Sequence, residues 1–184
     1  MKVLVALTGA SGSIYGIRLL EELNNSSNVE THMIASESAK KILEYETRYT
    51  YKDLKKIADD FYDNDDLFSP VSSGTYKIDA MVIVPCSMKT LSAVANGYSD
   101  TLISRSASCC LKENNKLVLV PRETPLALPY IKNMLKSYEA GAIVLPAIPG
   151  FYHKPKKIDD LVDFVVGKIF DQLGLNHDLF ERWK

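Results

Sequence analysis

The chain opens on an uninterrupted apolar run, Val3-Leu4-Val5-Ala6-Leu7, closed by Thr8-Gly9. A run this short and continuous predicts a strand over 2–7 that is buried on both faces. The period then changes. Ile14, Ile17, Leu20 and Leu23 recur every third residue and predict a helix over 11–23. A second strand is expected over 29–35, and Ser36 is placed to cap the helix carrying Ala39, Ile42, Leu43 and Glu46. The segment 51–66 reads as a helix fading into a polar stretch. Strands follow at 78–84, 117–120 and 142–145, each stopped by a proline: Pro85, Pro121 and Pro146. Helices are expected over 88–95, 101–111, 129–138 and 158–173, the last with the apolar stripe Leu161, Val162, Val165, Ile169 and Leu173.

Continuously apolar strands alternating with helices imply an α/β fold, a parallel sheet covered on both faces. Ligands in such sheets bind beyond the carboxyl ends of the strands. The residues of interest should therefore follow the strands. Those that do are Gly9-Ala10-Ser11-Gly12, Ser36, Ser87, Arg122-Glu123 and Pro149-Gly150-Phe151-Tyr152-His153.

The length of 184 residues suits one domain, placed at 1–175 with a C-terminal tail over 176–184. A net charge of −1 gives no global field toward nucleic acid or a membrane, so any anion site must be a local basic cluster. No apolar run approaches the roughly 20 residues of a membrane span. Cys86, Cys109 and Cys110 show no metal spacing, and with a first strand at the N-terminus in place of a signal peptide they fit a cytoplasmic protein.

Gly9-Ala10-Ser11-Gly12 lies where a strand meets a helix N-terminus, so backbone N–H groups can face an anion. The spacing is not GxGxxG, and the second strand ends in Ala35-Ser36 without the acid that holds a ribose, which argues against an NAD enzyme. Ser87 and Thr90 fall in the first turn of a helix and can hold a ring edge or a phosphate. Arg105, Lys112 and Arg122 are basic groups bracketing one helix–strand unit, and Arg122 directly follows a buried strand, where its fork can reach a phosphate. Cys86 reads as a small buried hydrophobe, and Lys168 as a surface lysine beside Asp171. Asp59-Asp60-Phe61-Tyr62-Asp63 matches the DDxxD pattern of all-helical isoprenyl enzymes but reads as a solvated acidic connection. Tyr51 and Lys55 match YxxxK too early in the chain for a dehydrogenase role. His32, His153 and His177 are scattered and suggest no metal site.

Together, Thr8 to Gly12, Ser36, Glu46-Thr47, Ser72-Ser73-Gly74, Pro85-Cys86-Ser87-Met88-Lys89-Thr90-Leu91, Leu111-Lys112-Glu113, LVLVPRETP from Leu117, Gly150-Phe151-Tyr152-His153 and Asp159 to Val166 resemble the flavin prenyltransferases of the UbiX group. The resemblance implies a Rossmann-like or flavodoxin-like three-layer sandwich that assembles as a homo-oligomer, typically a dodecamer. It implies that reduced FMN lies against Gly9, Ala10, Ser11, Ser36, Ser87, Met88, Lys89, Thr90, Arg105 and Arg122. It implies that dimethylallyl monophosphate, or the diphosphate as alternative donor, is held by Lys112, Arg122, Glu123, Tyr152 and Lys168, without a metal. Glu123, Ser11, Lys112 and Glu46 would serve the chemistry, which joins the dimethylallyl group to N5 and C6 of FMN. The prenylated FMN would pass to a UbiD-type decarboxylase. Lys168 stands where relatives commonly carry arginine. The competing readings are a non-catalytic flavin carrier of a decarboxylase and a flavin-dependent cysteinyl-peptide decarboxylase. The second expects a PASAN-type turn, where this chain has Pro85-Cys86-Ser87-Met88-Lys89, and a histidine just before that strand, where none stands between Phe68 and Pro85.

Overall fold

A computed structural model describes residues 1–183. Six strands form one parallel sheet: β1 (Lys2–Leu7), β2 (Glu30–Ala35), β3 (Asp60–Asp63), β4 (Ala80–Cys86), β5 (Lys116–Pro121) and β6 (Ile143–Val144). Seven helices connect and cover them: α1 (Ser13–Asn24), α2 (Glu37–Glu46), α3 (Tyr51–Ile57), α4 (Met88–Ala95), α5 (Leu102–Lys112), α6 (Leu128–Glu139) and α7 (Ile158–Leu173). The spatial order is β3-β2-β1-β4-β5-β6. This is the dinucleotide-fold order, and without the edge strand β3 it becomes the 2-1-3-4-5 order of flavodoxin.

Alternation along β1 divides the core. Val3, Val5 and Leu7 face a cluster with Ile17, Leu20, Val166 and Phe170 from α1 and α7. Leu4 and Ala6 face the opposite cluster with Leu91, Leu102, Ala107 and Cys110 from α4 and α5. Both layers are buried and apolar, which is why the inner strands read as unbroken apolar runs.

The expected polar connection after α3 is instead a strand. Asp60–Asp63 pairs with β2 in parallel, His32 opposite Asp60 and Ala35 opposite Asp63. It lies at the sheet edge, where only one neighbour is needed and Asp60 and Asp63 stay exposed. Tyr62 turns inward against the α4–α5 layer. The strand expected at 78–84 begins later and runs through Pro85 to Cys86.

Candidate active site

The sheet order reverses between β1 and β4, and Thr8 ties the two strand ends together. Its hydroxyl donates to the Pro85 carbonyl at 2.7 Å and accepts from the Ser87 amide at 2.7 Å, while its own amide bonds Pro85 O at 3.2 Å. Thr8 is buried, so these bonds fix the floor of the crevice.

Above that floor is a cavity of about 350 Å³ lined by Gly9, Ser36, Ser38, Asn64, Ser87, Met88, Lys89, Thr90, Ala93, Asp100, Thr101, Ile103, Ser104 and Glu123. Three helices begin at it. Ser36 caps α2 by accepting from the Ala39 amide at 3.2 Å, and Ser87 caps α4 by accepting from the Thr90 amide at 3.3 Å. Thr101 caps α5 through the Ser104 amide at 3.3 Å, and Asn64 Oδ1 takes the Ile103 amide at 3.2 Å. Three positive helix ends and Lys89 therefore face one space, an arrangement that favours a phosphate-bearing ligand. Gly9 completes the cradle: a Cβ there would stand 2.7 Å from the Ser38 Cβ.

The N-terminus of α1 is different. Glu46 closes it from the end of α2, accepting from the Gly12 and Ser13 amides at 2.9 and 3.2 Å. Partial burial opposes its charge, but these bonds and the Ser11 and Ser13 hydroxyls prevail and hold its carboxyl below the usual range. The anion expected at the glycine turn is thus a side chain of the protein itself. Arg122 crosses from the end of β5 to donate to the Ser11 carbonyl at 3.1 Å, which joins the β5 and β1 turns.

Of the residues singled out in the sequence, Gly9, Ser36, Ser87, Met88, Lys89, Thr90 and Glu123 line one cavity. Ala10, Ser11, Glu46 and Arg122 build the adjoining turn. Arg105 instead donates to the Ser72 carbonyl at 2.9 Å, pinning the single 3₁₀ turn Pro70–Ser72 to α5. Lys112 lies at the far end of α5, 2.9 Å from Glu113. With eleven residues in α5, that is roughly 16 Å from the crevice. Lys168 pairs with Asp171 at 3.1 Å, and Tyr152 meets the Phe164 and Trp183 rings edge-on at 5.6 and 5.5 Å. None of Lys112, Tyr152 and Lys168 lines the cavity that Glu123 lines.

Ser38, Asn64, Asp100, Thr101 and Ser104 shape the site without having been singled out in the sequence, and Thr8 had entered only as the start of the Thr8 to Gly12 motif. Thr101 and Ser104 carry a readable signal, hydroxyl side chains three residues apart at a helix start. Cys86 is buried completely, and burial pushes its thiol up to about 12. Among the described residues, no group of His, Cys, Asp and Glu side chains is arranged to hold a metal, and no helix is long and apolar enough to cross a membrane.

A switch-point crevice facing three helix ends defines a protein of the phosphate-cofactor-binding α/β class, and residues 1–170 match the Flavoprotein family. The flavin prenyltransferase UbiX of Methanocaldococcus jannaschii is 53% identical over 183 residues, covering 100% of this chain and 98% of the relative. A dodecameric FMN-dependent UbiX-like decarboxylase from Escherichia coli O157:H7 superposes with a TM-score of 0.98 at 43% identity, covering 100% of both chains. AnUbiX (PadA1), solved in complex with FMN and dimethylallyl pyrophosphate, superposes with a TM-score of 0.97 at 45% identity, covering 100% of this chain and 97% of the other. The chain belongs to the flavin prenyltransferases of the UbiX group.

Proposed function

We propose that the crevice binds reduced FMN with its phosphate at the α2, α4 and α5 helix ends, and that Glu123 and Arg122 serve the prenyl donor beside it. The observation that carries this reading is Glu123 lining the same cavity as the Ser36, Ser87 and Thr101 caps. Bound there, reduced FMN supplies the electron-rich ring that takes up the dimethylallyl group.

The chain's own groups have three tasks. The helix ends and Lys89 neutralise and orient the flavin phosphate. Arg122 offers its fork to the donor phosphate, whose departure breaks the allylic C–O bond. Glu123 delivers a proton to the leaving phosphate, a role typically worth about 10²–10⁴-fold in rate. Ser11, held by Glu46, sits at the β1 turn as a proton relay.

Lys112, Tyr152 and Lys168 fit this scheme as groups supplied where copies of the chain meet. The separation of Lys112 from Glu123 within one chain supports a homo-oligomer, and the dodecameric relative supports a dodecamer of this chain. Dimethylallyl monophosphate is the proposed donor, and the diphosphate bound by AnUbiX is the alternative. The product would serve a UbiD-type decarboxylase, and three buried free cysteines suit the cytoplasm.

Glu123→Gln tests the reading. The variant should bind FMN with unchanged affinity and transfer the prenyl group at least about 100-fold more slowly. Unchanged transfer would remove Glu123 from the chemistry. A wild-type chain that binds flavin and transfers nothing from either donor would favour the carrier reading.

A further inference from the structure

Tyr152 and Lys168, two of the groups assigned to the donor above, sit on separate segments, the loop after β6 and helix α7. The side chain that ties the loop to the helix is His153. Its Nε2 lies 3.2 Å from the Asp160 carbonyl in the first turn of α7. A carbonyl only accepts, so Nε2 carries a proton and donates it. The imidazole also stacks on Phe164, one turn further along, with centroids 5.3 Å apart and planes 9° from parallel. The loop approaches α7 this closely because residue 150 is glycine: a Cβ there would stand 2.9 Å from the Phe164 ring.

Tyr152 stands on that base. Its ring meets the His153 and Phe164 rings edge-on at 5.9 and 5.6 Å. Phe164 and Lys168 are four residues apart and so share one face of α7. From Phe164 the contacts run through Phe180 at 4.9 Å and His177 at 5.2 Å to Asp171, which holds Lys168 at 3.1 Å. Arg182 closes the circuit. It donates to Asp171 at 2.8 Å and lines a cavity of about 290 Å³ together with Tyr152 and His153.

The other ring nitrogen, Nδ1, is enclosed and has no hydrogen-bond partner among the described residues. An enclosed nitrogen without a partner costs free energy, and a phenylalanine could stack on Phe164 without that cost. What histidine adds here is the single bond from Nε2. Stacking alone leaves the ring free to turn in its own plane, whereas a hydrogen bond weakens steeply off its axis. The bond to Asp160 therefore fixes the surface on which Tyr152 rests.

We propose that His153 is a positioning residue for the prenyl-donor site, its Nε2–H bond to Asp160 fixing Tyr152 against the face of α7 that carries Lys168. This rests on the donor roles assigned above to Tyr152 and Lys168. It makes the two groups one unit that meets the donor phosphate together.

The test compares the full-length wild type with His153→Gln, His153→Asn and His153→Phe. Glutamine returns an amide nitrogen near the Nε2 position, asparagine returns one near Nδ1 only, and phenylalanine keeps the stack alone. At saturating reduced FMN, the Asn and Phe variants should raise KM for dimethylallyl monophosphate by about tenfold or more. FMN affinity and kcat should be nearly kept, and the Gln variant should stay near the wild type. An unchanged KM in the Asn and Phe variants, or a loss of FMN affinity that matches the rise in KM, overturns the positioning role. Both variants remove the same bond, so one that fails to fold by far-UV circular dichroism leaves the other to decide. Trp183, the only tryptophan, meets Tyr152 at 5.5 Å and gives a readout that needs no turnover. Its fluorescence, titrated with dimethylallyl monophosphate in the presence of oxidised FMN, should show the wild type and Gln variant binding more tightly than the Asn and Phe variants. That order in a wild type that transfers nothing overturns the functional reading alone. Transfer by the wild type with equal affinities across the series overturns the positioning role alone.

Discussion

The Ser87 amide donates to Thr8 Oγ1 at 2.7 Å, while that hydroxyl donates to Pro85 O at 2.7 Å. One buried hydroxyl thus satisfies two backbone groups where the sheet order reverses, and it positions the α4 cap against the end of β1. Thr8→Val keeps the shape and removes both bonds. The loss should destabilise the fold by about 1–3 kcal/mol, because the Ser87 amide loses its partner while the Pro85 carbonyl keeps the Thr8 amide. It should also weaken FMN binding by loosening the Ser87 turn. A urea melt and a flavin titration check the two effects, and an unchanged midpoint would show that Thr8 is dispensable.

Glu46 is the anion at the α1 N-terminus, so it acts on the fold and on Ser11 together. Its carboxyl is held below the usual value of 4.5, so its contribution is present above that pH and is lost as pH falls through the lower folded value. Glu46→Gln removes the charge and should flatten this acid dependence. In the variant, FMN affinity should be nearly kept and turnover should fall, since Ser11 then faces a neutral amide in place of a carboxylate. Equal loss in affinity and turnover would mark Glu46 as purely structural.

Asp171 fixes the C-terminal segment. It accepts from Arg182 at 2.8 Å and from Lys168 at 3.1 Å, and meets His177 at 3.3 Å. Burial opposes its ionisation, but the Arg182 and Lys168 bonds prevail and hold it at about 2. The segment should stay docked above pH 3.8 and loosen as pH falls toward about 2. Trp183, the only tryptophan, stacks edge-on against Tyr152 at 5.5 Å and reports the change. Its fluorescence should shift over that range in the wild type, and already at neutral pH in Asp171→Asn.

Cys86 and Cys110 are buried, and burial pushes both thiols up to about 12. They should resist alkylation at pH 7 in the folded protein and react only after denaturation, as judged by mass spectrometry of intact protein. Cys86→Ala should leave prenyl transfer intact, as expected for a residue that only fills space at the end of β4.

The sequence was most readable where burial is two-sided or a cap is local. The expected bounds of β1, α4 and α7 coincide with the structure, and Ser36 caps α2 as its position before Ala39 implied. β3 was unreadable because an edge strand needs no apolar run: Asp60 and Asp63 face solvent, and pairing with β2 supplies the structure. The same misreading hid Asn64, which closes the α5 N-terminus from the loop after β3. The catalytic-side residues divide by the same logic. Gly9, Ser36, Ser87 and Glu123 follow strands and could be placed from the alternation of elements. Lys112 and Tyr152 were singled out by position, but the donor-binding roles of Lys112, Tyr152 and Lys168 came only from the family resemblance, and within one chain each has a partner elsewhere.

The most direct test of the account is anaerobic incubation of the purified protein with reduced FMN and dimethylallyl monophosphate, or the diphosphate, followed by mass spectrometry of the released flavin. The account expects flavin carrying one added C5H8 unit, formed by the wild type and strongly reduced in Glu123→Gln. Unmodified flavin with both donors, despite tight FMN binding, would contradict it.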